Sequence, residues 1–431
     1  MRDLSRGSCK SLPALAVEFQ AACIADYSAR RRMLRRAQQG LALDGFRRVS
    51  YETDIGVLVV TASGVIERER PAASSDARRQ VGERQLQGDD GSSLSPFPEG
   101  WYFVATRESI LKARLIQKTW LGANIVAWCD EGGRICVAEA VCPHLGADLG
   151  PAAGGEVRDG CLVCPFHGFE YDITGQCVAT PSAPAPKAAK LRVFETRAVL
   201  GMVFAWWGIG GRPPQWSLPE DPPTEAEWSE LEYRTLRFPG HPQETTENSV
   251  DLSHLSYVHG YSSVSRVGSV LVDGAEFKRA FDFRRSRSIG GIAKIEFNVS
   301  AVVQVFGLGF SFVDIHEHSI GMQLRLWVLA TPVDGTLIEM VLVGQVREMS
   351  RPKRLVIGLG FVPLFLRARL MNKITLAAQK RDVLQDVEIW SRKQYRSRPR
   401  LCGSDGEIGP FRRYCKQFYP DDLDSGRDEP N

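Results

Sequence analysis

The chain has 431 residues, 43% of them hydrophobic, with 54 basic against 51 acidic side chains and a formal net charge of +3. That length supports two or three domains with separate cores, which excludes a small disulfide-held module, and the nearly balanced charge gives no footprint for a nucleic-acid partner. Ten cysteines in so long a chain fit a reducing compartment, and the weakly apolar start gives no secretory leader, so a cytoplasmic protein is expected.

The segment from Leu12 to Gly40 is rich in Ala, Leu and Arg, with no Pro or Gly between Pro13 and its end, and predicts a helix with Arg30–Arg32, Arg35 and Arg36 on a solvated face. Pro71 to Gly100 is rich in Pro, Ser, Asp and Gln and predicts a flexible connection, so residues 1–99 read as a helical extension plus linker. From Trp101 to Gly208 short strand patterns (WYFVAT, NIVAWC, RICVAEAVC and LRVFETRAVLGMVFAWWG) alternate with turns such as Asp130–Gly133. They predict an all-β domain over 100–212 with two turn-rich inserts. Pro213 to Pro223 reads as a linker or external loop.

The last domain, 213–431, opens with a helix predicted to start near Thr245 or Thr246 and continues in alternating segments (AEFKRAFDFR, IAKIEFNVSAVVQVF, GMQLRLWVLATPV, LIEMVLVGQV) that predict an antiparallel sheet. Val362 to Trp390 is helical in pattern, with Pro363 as a start or kink. The class is therefore α+β. The apolar run Leu355 to Leu366 is about half of what a membrane-crossing helix needs; it reads as a buried segment, or as a lid or membrane-surface element.

Two short motifs stand in the turn-rich inserts: Cys142-Pro-His144-Leu-Gly146 and Cys164-Pro-Phe-His167-Gly168. Each offers a thiolate and an imidazole on a loop shaped by Pro and Gly. A [2Fe-2S] cluster with two Cys and two His ligands matches that supply. A structural zinc site is the competing use, but both motifs pair Cys with His at close spacing rather than Cys with Cys. Cys161 also has a ligand-like spacing to Cys164; it is left out because the other four complete the set.

A second constellation, Asn248-x-x-Asp251-x-x-His254-x4-His259, repeats every three residues and would place Asn248, Asp251 and His254 on one face of a helix, with His259 swinging in where Gly260 ends it. Two histidines and one carboxylate make the facial triad of a mononuclear Fe(II) that activates O2. His316 and His318 alternate as strand neighbours and read as pocket or surface residues, His241 as a loop residue. No dinucleotide fingerprint precedes a βα unit.

The paired motifs resemble the Rieske signature, and with the downstream constellation the chain resembles the Rieske non-haem iron oxygenases from about Trp101 to Trp390. The resemblance implies a terminal oxygenase component: an all-β Rieske domain, then a helix-grip catalytic domain with an antiparallel sheet covered by helices. It implies that Cys142 and Cys164 bind the inner iron and His144 and His167 the outer one. The third ligand to the mononuclear iron would be Asp386 in Gln-Asp386-Val-Glu388-Ile-Trp, with Asp382, one turn earlier, as the alternative and a surface acid otherwise. Asp251 would bridge a cluster-binding His of a neighbouring subunit and His254, which implies a homotrimer with inter-subunit electron transfer. Electrons would come from NAD(P)H through a separate reductase or ferredoxin.

The segments ENSVDLSHLSYVHGYSSV and QDVEIW resemble the ketosteroid hydroxylase and cholesterol 7-desaturase branch, which implies a bulky apolar substrate, hydroxylated or desaturated; the apolar run Leu355 to Leu366 and the N-terminal extension are the places where peripheral membrane contact is expected. The alternatives are a Rieske monooxygenase or demethylase acting on an aromatic or amine substrate, and a Rieske electron-transfer protein without catalysis.

Overall fold

The computed structural model describes residues 48–53, 56–61, 66–69, 86–88, 93–223, 228–289, 293–349 and 362–420. The helix expected over Leu12 to Gly40, and most of the apolar run Leu355 to Leu366, lie outside the described residues. Within residues 1–77, which form one compact unit, β1 (Arg48–Thr53), β2 (Gly56–Thr61) and β3 (Ile66–Glu69) pair as an antiparallel sheet.

Residues 78–431 form the second unit. It opens with β4 (Gly100–Thr106), α1 (Arg107–Ala113), β5 (Leu115–Trp120), β6 (Ala123–Cys129) and β7 (Ile135–Glu139). Short strands follow: β8 (Glu156–Arg158), β9 (Cys161–Val163), β10 (Glu170–Tyr171), β11 (Cys177–Ala179), β12 (Val193–Phe194), β13 (Thr196–Val199) and β14 (Met202–Trp207). They make three sheets, ordered β12-β7-β6-β5, β13-β14-β4 and β11-β10-β9-β8. Aromatic and β-branched residues suit pleated, buried positions, and Trp101, Tyr102, Trp120, Trp128 and Phe204 are all nearly inaccessible.

The larger sheet comes from β15 (Glu232–Pro239), β16 (Ser262–Asp273), β17 (Glu276–Ile289), β18 (Ala293–Phe306), β19 (Phe310–Glu317), β20 (Met322–Pro332) and β21 (Leu337–Met349). β16 to β21 form an antiparallel meander, and β15 pairs along β21. Between β15 and β16 lie α2 (Pro242–Glu247) and α3 (Leu252–Tyr257); after β21 come α4 (Leu364–Trp390) and α5 (Ile408–Cys415). Alternate residues of a strand face one way, so Val299, Ala301 and Val303 of β18, Val313 and Ile315 of β19, and Leu324 and Leu326 of β20 turn to a common cavity, with α4 on its other side.

α4 packs on the sheet through Leu376, Val383 and Trp390, and a polar contact at Gly344 adds to this. Buried Asn372 donates from Nδ2 to Gly344 O, Glu230 O and Ser229 Oγ at 2.8, 3.0 and 3.1 Å. A Cβ on Gly344 would stand 2.6 Å from Asn372 Oδ1, so the glycine sets the helix-to-sheet distance.

Three sequence expectations change. The helix expected from Thr245 onward is two helices, because the chain turns at Ser249 and Val250 and Asp251 starts α3 anew as its N-cap. The flexible reading of Pro71 to Gly100 fails at its end: Leu94 and Glu99 are buried, and Tyr102 Oη donates to Pro98 O at 2.9 Å. The Pro213–Pro223 passage is anchored, with Trp101 Nε1 donating to Trp216 O at 2.9 Å and Arg325 Nη1 to Pro223 O at 3.0 Å. The two β-rich halves also share a core, in which Trp101, Phe103, Phe204 and Trp206 pack with Phe310, Trp327, Leu329 and Val343.

Candidate metal centres

The two Cys/His loops have the same backbone design. Cys142 N donates to Ala147 O and Gly146 N to Cys142 O at 2.8 and 2.9 Å; Cys164 N donates to Phe169 O and Gly168 N to Cys164 O at 2.8 and 3.0 Å. Both closing glycines take a left-handed conformation, φ 77° and 65°, which favours a residue without a Cβ. Each loop buries its cysteine, 2% exposed in both cases, and leaves His144 and His167 exposed at the tips. The imidazoles face each other edge to face with centroids 4.9 Å apart, and His144 stacks on Phe169 at 4.3 Å. Cys142 Sγ lies 3.0 Å from Tyr171 Oη, and burial is the main cause of the raised pKa of the Cys164 thiol, so both thiols sit in a dry floor under a wet imidazole rim. That is the polarity a [2Fe-2S] cluster with an inner thiolate iron and an outer imidazole iron needs. Cys161 lies on β9 and is partly exposed.

The second centre is built by α3, the turn after it, and α4. Asp251 caps α3, its carboxylate accepting Ser253 N at 2.9 Å and His254 N at 3.3 Å. α3 ends at Tyr257 and Gly260 takes φ +68°, so His259 leaves the helix and comes alongside His254, rings 5.2 Å apart at 77°. The ligand atoms of His254, His259 and Asp386 all lie within 4.8 Å of one another, the only such group of three among the described residues.

The ring nitrogens identify the donor set. His254 Nδ1 bonds the carbonyl oxygen of Asp251, and His259 Nδ1 lies 2.9 Å from Gln385 Oε1. Each Nδ1 is thus the N–H side, which leaves both Nε2 lone pairs for a metal; His259 Nε2 already faces Asp386 Oδ2 at 3.3 Å. Burial holds His254 below the usual imidazole pKa, in keeping with a neutral ligand. Burial pushes His259 the same way but is outweighed by Asp386 and Gln385, which raise it. The three residues fit a divalent iron.

Asp386 rather than Asp382 completes this group. Asp382 is not a surface acid: it is 7% exposed, accepts Tyr261 Oη at 2.9 Å and pairs with Arg285. The expected Asp251 carboxylate to His254 hydrogen bond is replaced by the backbone one, with the carboxylate 4.0 Å from Nδ1. Asn248 caps the end of α2 and lines the cavity. Glu388 is exposed, 3.1 Å from Arg392. His241 is the buried N-cap of α2, and His316 and His318 are exposed, their rings 4.3 Å apart and tilted by 36°. Gln385, Tyr261 and Arg285 went unremarked in the sequence, although Gln385 adjoins Asp386 and Tyr261 follows His259 by two.

The triad opens on a cavity of about 330 Å3 walled by Phe281, Phe283, Val299, Leu326, Met340 and Trp390, among others. Its size falls in the range of small-molecule sites.

Residues 100–195 match the Rieske [2Fe-2S] domain, and residues 205–419 match the 3-ketosteroid 9alpha-hydroxylase C-terminal domain. The chain is 28% identical to a cholesterol 7-desaturase of Ciona intestinalis over 375 residues, 80% of this chain and 73% of that protein. It is 26% identical over 354 residues to the oxygenase component of a 3-ketosteroid-9-alpha-monooxygenase of Rhodococcus rhodochrous, 77% and 86% of the two chains. Among solved structures, dicamba monooxygenase bound to 3,6-dichlorosalicylic acid shares the fold with a TM-score of 0.59 at 17% identity, covering 76% of this chain and 98% of that one.

A cluster site joined to an open two-histidine, one-carboxylate iron site defines an O2-using oxidoreductase. The chain belongs to the Rieske non-haem iron oxygenases as a terminal oxygenase component, related to the ketosteroid hydroxylase and cholesterol-desaturase branch.

Proposed function

We propose that the chain hydroxylates or desaturates a sterol or steroid. The observation that carries this is the cavity: its wall is mostly aliphatic and aromatic, and it opens directly on His254, His259 and Asp386. Similarity to proteins named for cholesterol and for a 3-ketosteroid supports the same substrate class.

In this reading the domains run 100–212 and 213–431, Cys142, Cys164, His144 and His167 hold the cluster, and the triad holds the iron. Bound there, Fe(II) supplies open positions for O2 and the cluster supplies electrons delivered by a separate reductase or ferredoxin. The chain's own work is positional. Asp251 and Gln385 hold each imidazole in the tautomer that presents Nε2, and the apolar wall keeps bulk water from the reacting carbon. Asn248, beside the triad in the cavity lining, offers a neutral amide to the same space.

The working assembly is a homotrimer in which the cluster of one subunit serves the iron of the next. Exposed Val141, Leu145 and Phe166, at 54, 67 and 61%, ring the two outer histidines, while Asp251 keeps a quarter of its side chain exposed. An apolar rim around two N–H groups is a docking face, and a carboxylate is the acceptor it fits.

The test is iron content together with products formed from labelled 18O2, a reductase and ferredoxin, and a panel of sterols, ketosteroids and small aromatics. Three irons per chain with a labelled sterol or steroid product makes a hydroxylase; an unlabelled product two hydrogens lighter makes a desaturase. Turnover of small aromatics alone would overturn the substrate class, and two irons per chain would leave only an electron carrier.

A further inference from the structure

Among the described residues lining the cavity, Arg285 is the only arginine or lysine. It reaches from β17 to Asp382 on α4, and its guanidinium lies 5.2 Å from the ring of Tyr261, whose Oη donates to the same Asp382 oxygen at 2.9 Å. Tyr261 is itself held flat against Phe283, 4.7 Å away at 5°. One of the five N–H donors of Arg285 goes to Asp382, and the others have no partner among the described residues. A charged group of donors beside a carboxylate acceptor therefore stands in a wall that is mostly apolar.

We propose that this corner, Arg285 with Asp382 and Tyr261, binds the ring hydroxyl or keto oxygen of the substrate and so decides which carbon faces the triad. The inference rests on the sterol or steroid reading above. A ketone accepts from Arg285; an alcohol accepts from Arg285 and donates to Asp382. Asp382 precedes Asp386 by four residues, a rise of about 6 Å along α4. An oxygen held at Asp382 thus lies about one or two fused rings from the carbon presented to the triad, at that same rise of about 6 Å. The remainder of the molecule has an apolar place to go, past Ile320, Met322, Leu324 and Met371. Few, well-placed polar groups in a greasy cavity are how such sites fix orientation.

The test is binding to the full chain, cluster loaded, read by quenching of tryptophan fluorescence, since Trp390 lines the cavity. The probes are cholesterol, cholest-4-en-3-one and cholest-5-ene, which lacks the ring oxygen. The unaltered protein should bind the two oxygenated probes about tenfold or more tighter than the third, the worth of a hydrogen bond to a charged group. Arg285→Met alone strands Asp382 and risks the fold, so the decisive variant is Arg285→Met with Asp382→Leu and Tyr261→Phe, because replacing all members of a buried polar group by apolar residues is often neutral for stability, and no hydroxyl of the corner is then left without its partner. That variant should keep the cluster absorption and the melting temperature and bind all three probes alike. Equal binding of the three by the unaltered protein, or discrimination retained by the triple variant, would overturn the anchor and leave the sterol reading standing. Binding of none by the unaltered protein would overturn both.

Discussion

His241 shows how one residue can carry a pH dependence. It is 3% exposed, its Nδ1 accepts Gln243 N at 3.2 Å and its Nε2 faces Ser95 O at 3.0 Å. The ring must be neutral to accept at one nitrogen and donate at the other, and burial pushes its pKa down to about 4. Between pH 6.5 and 4 the unfolded chain therefore binds a proton that the folded chain refuses, so stability falls as pH falls through this window. The loss from this group approaches about 3 kcal/mol at its lower end. Urea unfolding at pH 7 and pH 5 should show the decline, and His241→Asn, which keeps a capping oxygen, should flatten it. The sequence placed His241 only in a loop, because a helix cap made by imidazole has no distinctive spacing. By contrast the two loops carrying Cys142, His144, Cys164 and His167 were legible as a pair, since residue type and local spacing mark them, and the structure brings them together. Arg285 and Tyr261 were not, because they meet Asp382 across 97 and 121 residues.

At the scale of elements, the break between α2 and α3 is the feature the three-residue repeat concealed. A motif of Asn, Asp and His at threes reads equally as one helical face or as a cap followed by a new turn. Burial decides it: Glu247 is drawn to Lys393 and Arg412 at 3.3 and 2.6 Å, Val250 is 1% exposed, and Asp251 then caps. Charge and capping at Asp251 can be separated. Asp251→Ala should cost about 1 kcal/mol by denaturant unfolding. Asp251→Asn should leave stability within a few tenths of that of the unaltered chain, since Asn caps comparably well, yet slow reduction of the catalytic iron in single-turnover kinetics. Equal turnover by the Asn variant and the unaltered chain would remove the carboxylate from the electron route. The long helix bearing Asp386 was readable because Val362 to Trp390 holds no breaker after Pro363, and the structure begins α4 at Leu364.

For the whole molecule, electron transfer between subunits has a direct test. Cys142→Ser removes one of the proposed cluster ligands and His254→Ala a member of the triad; each alone should be inactive. Co-expressed, they should recover a fraction of wild-type turnover in mixed oligomers, whereas transfer within one chain would give none. The two motifs were visible in the sequence separately, but the core shared by the two β-rich halves was not, because Trp101 and Phe204 meet Phe310 and Trp327 only through folding. That shared core has a consequence for ancestry. Each half supplies part of one aromatic interior, so exchanging either for a distant cousin's version means recutting the surface on which both rest.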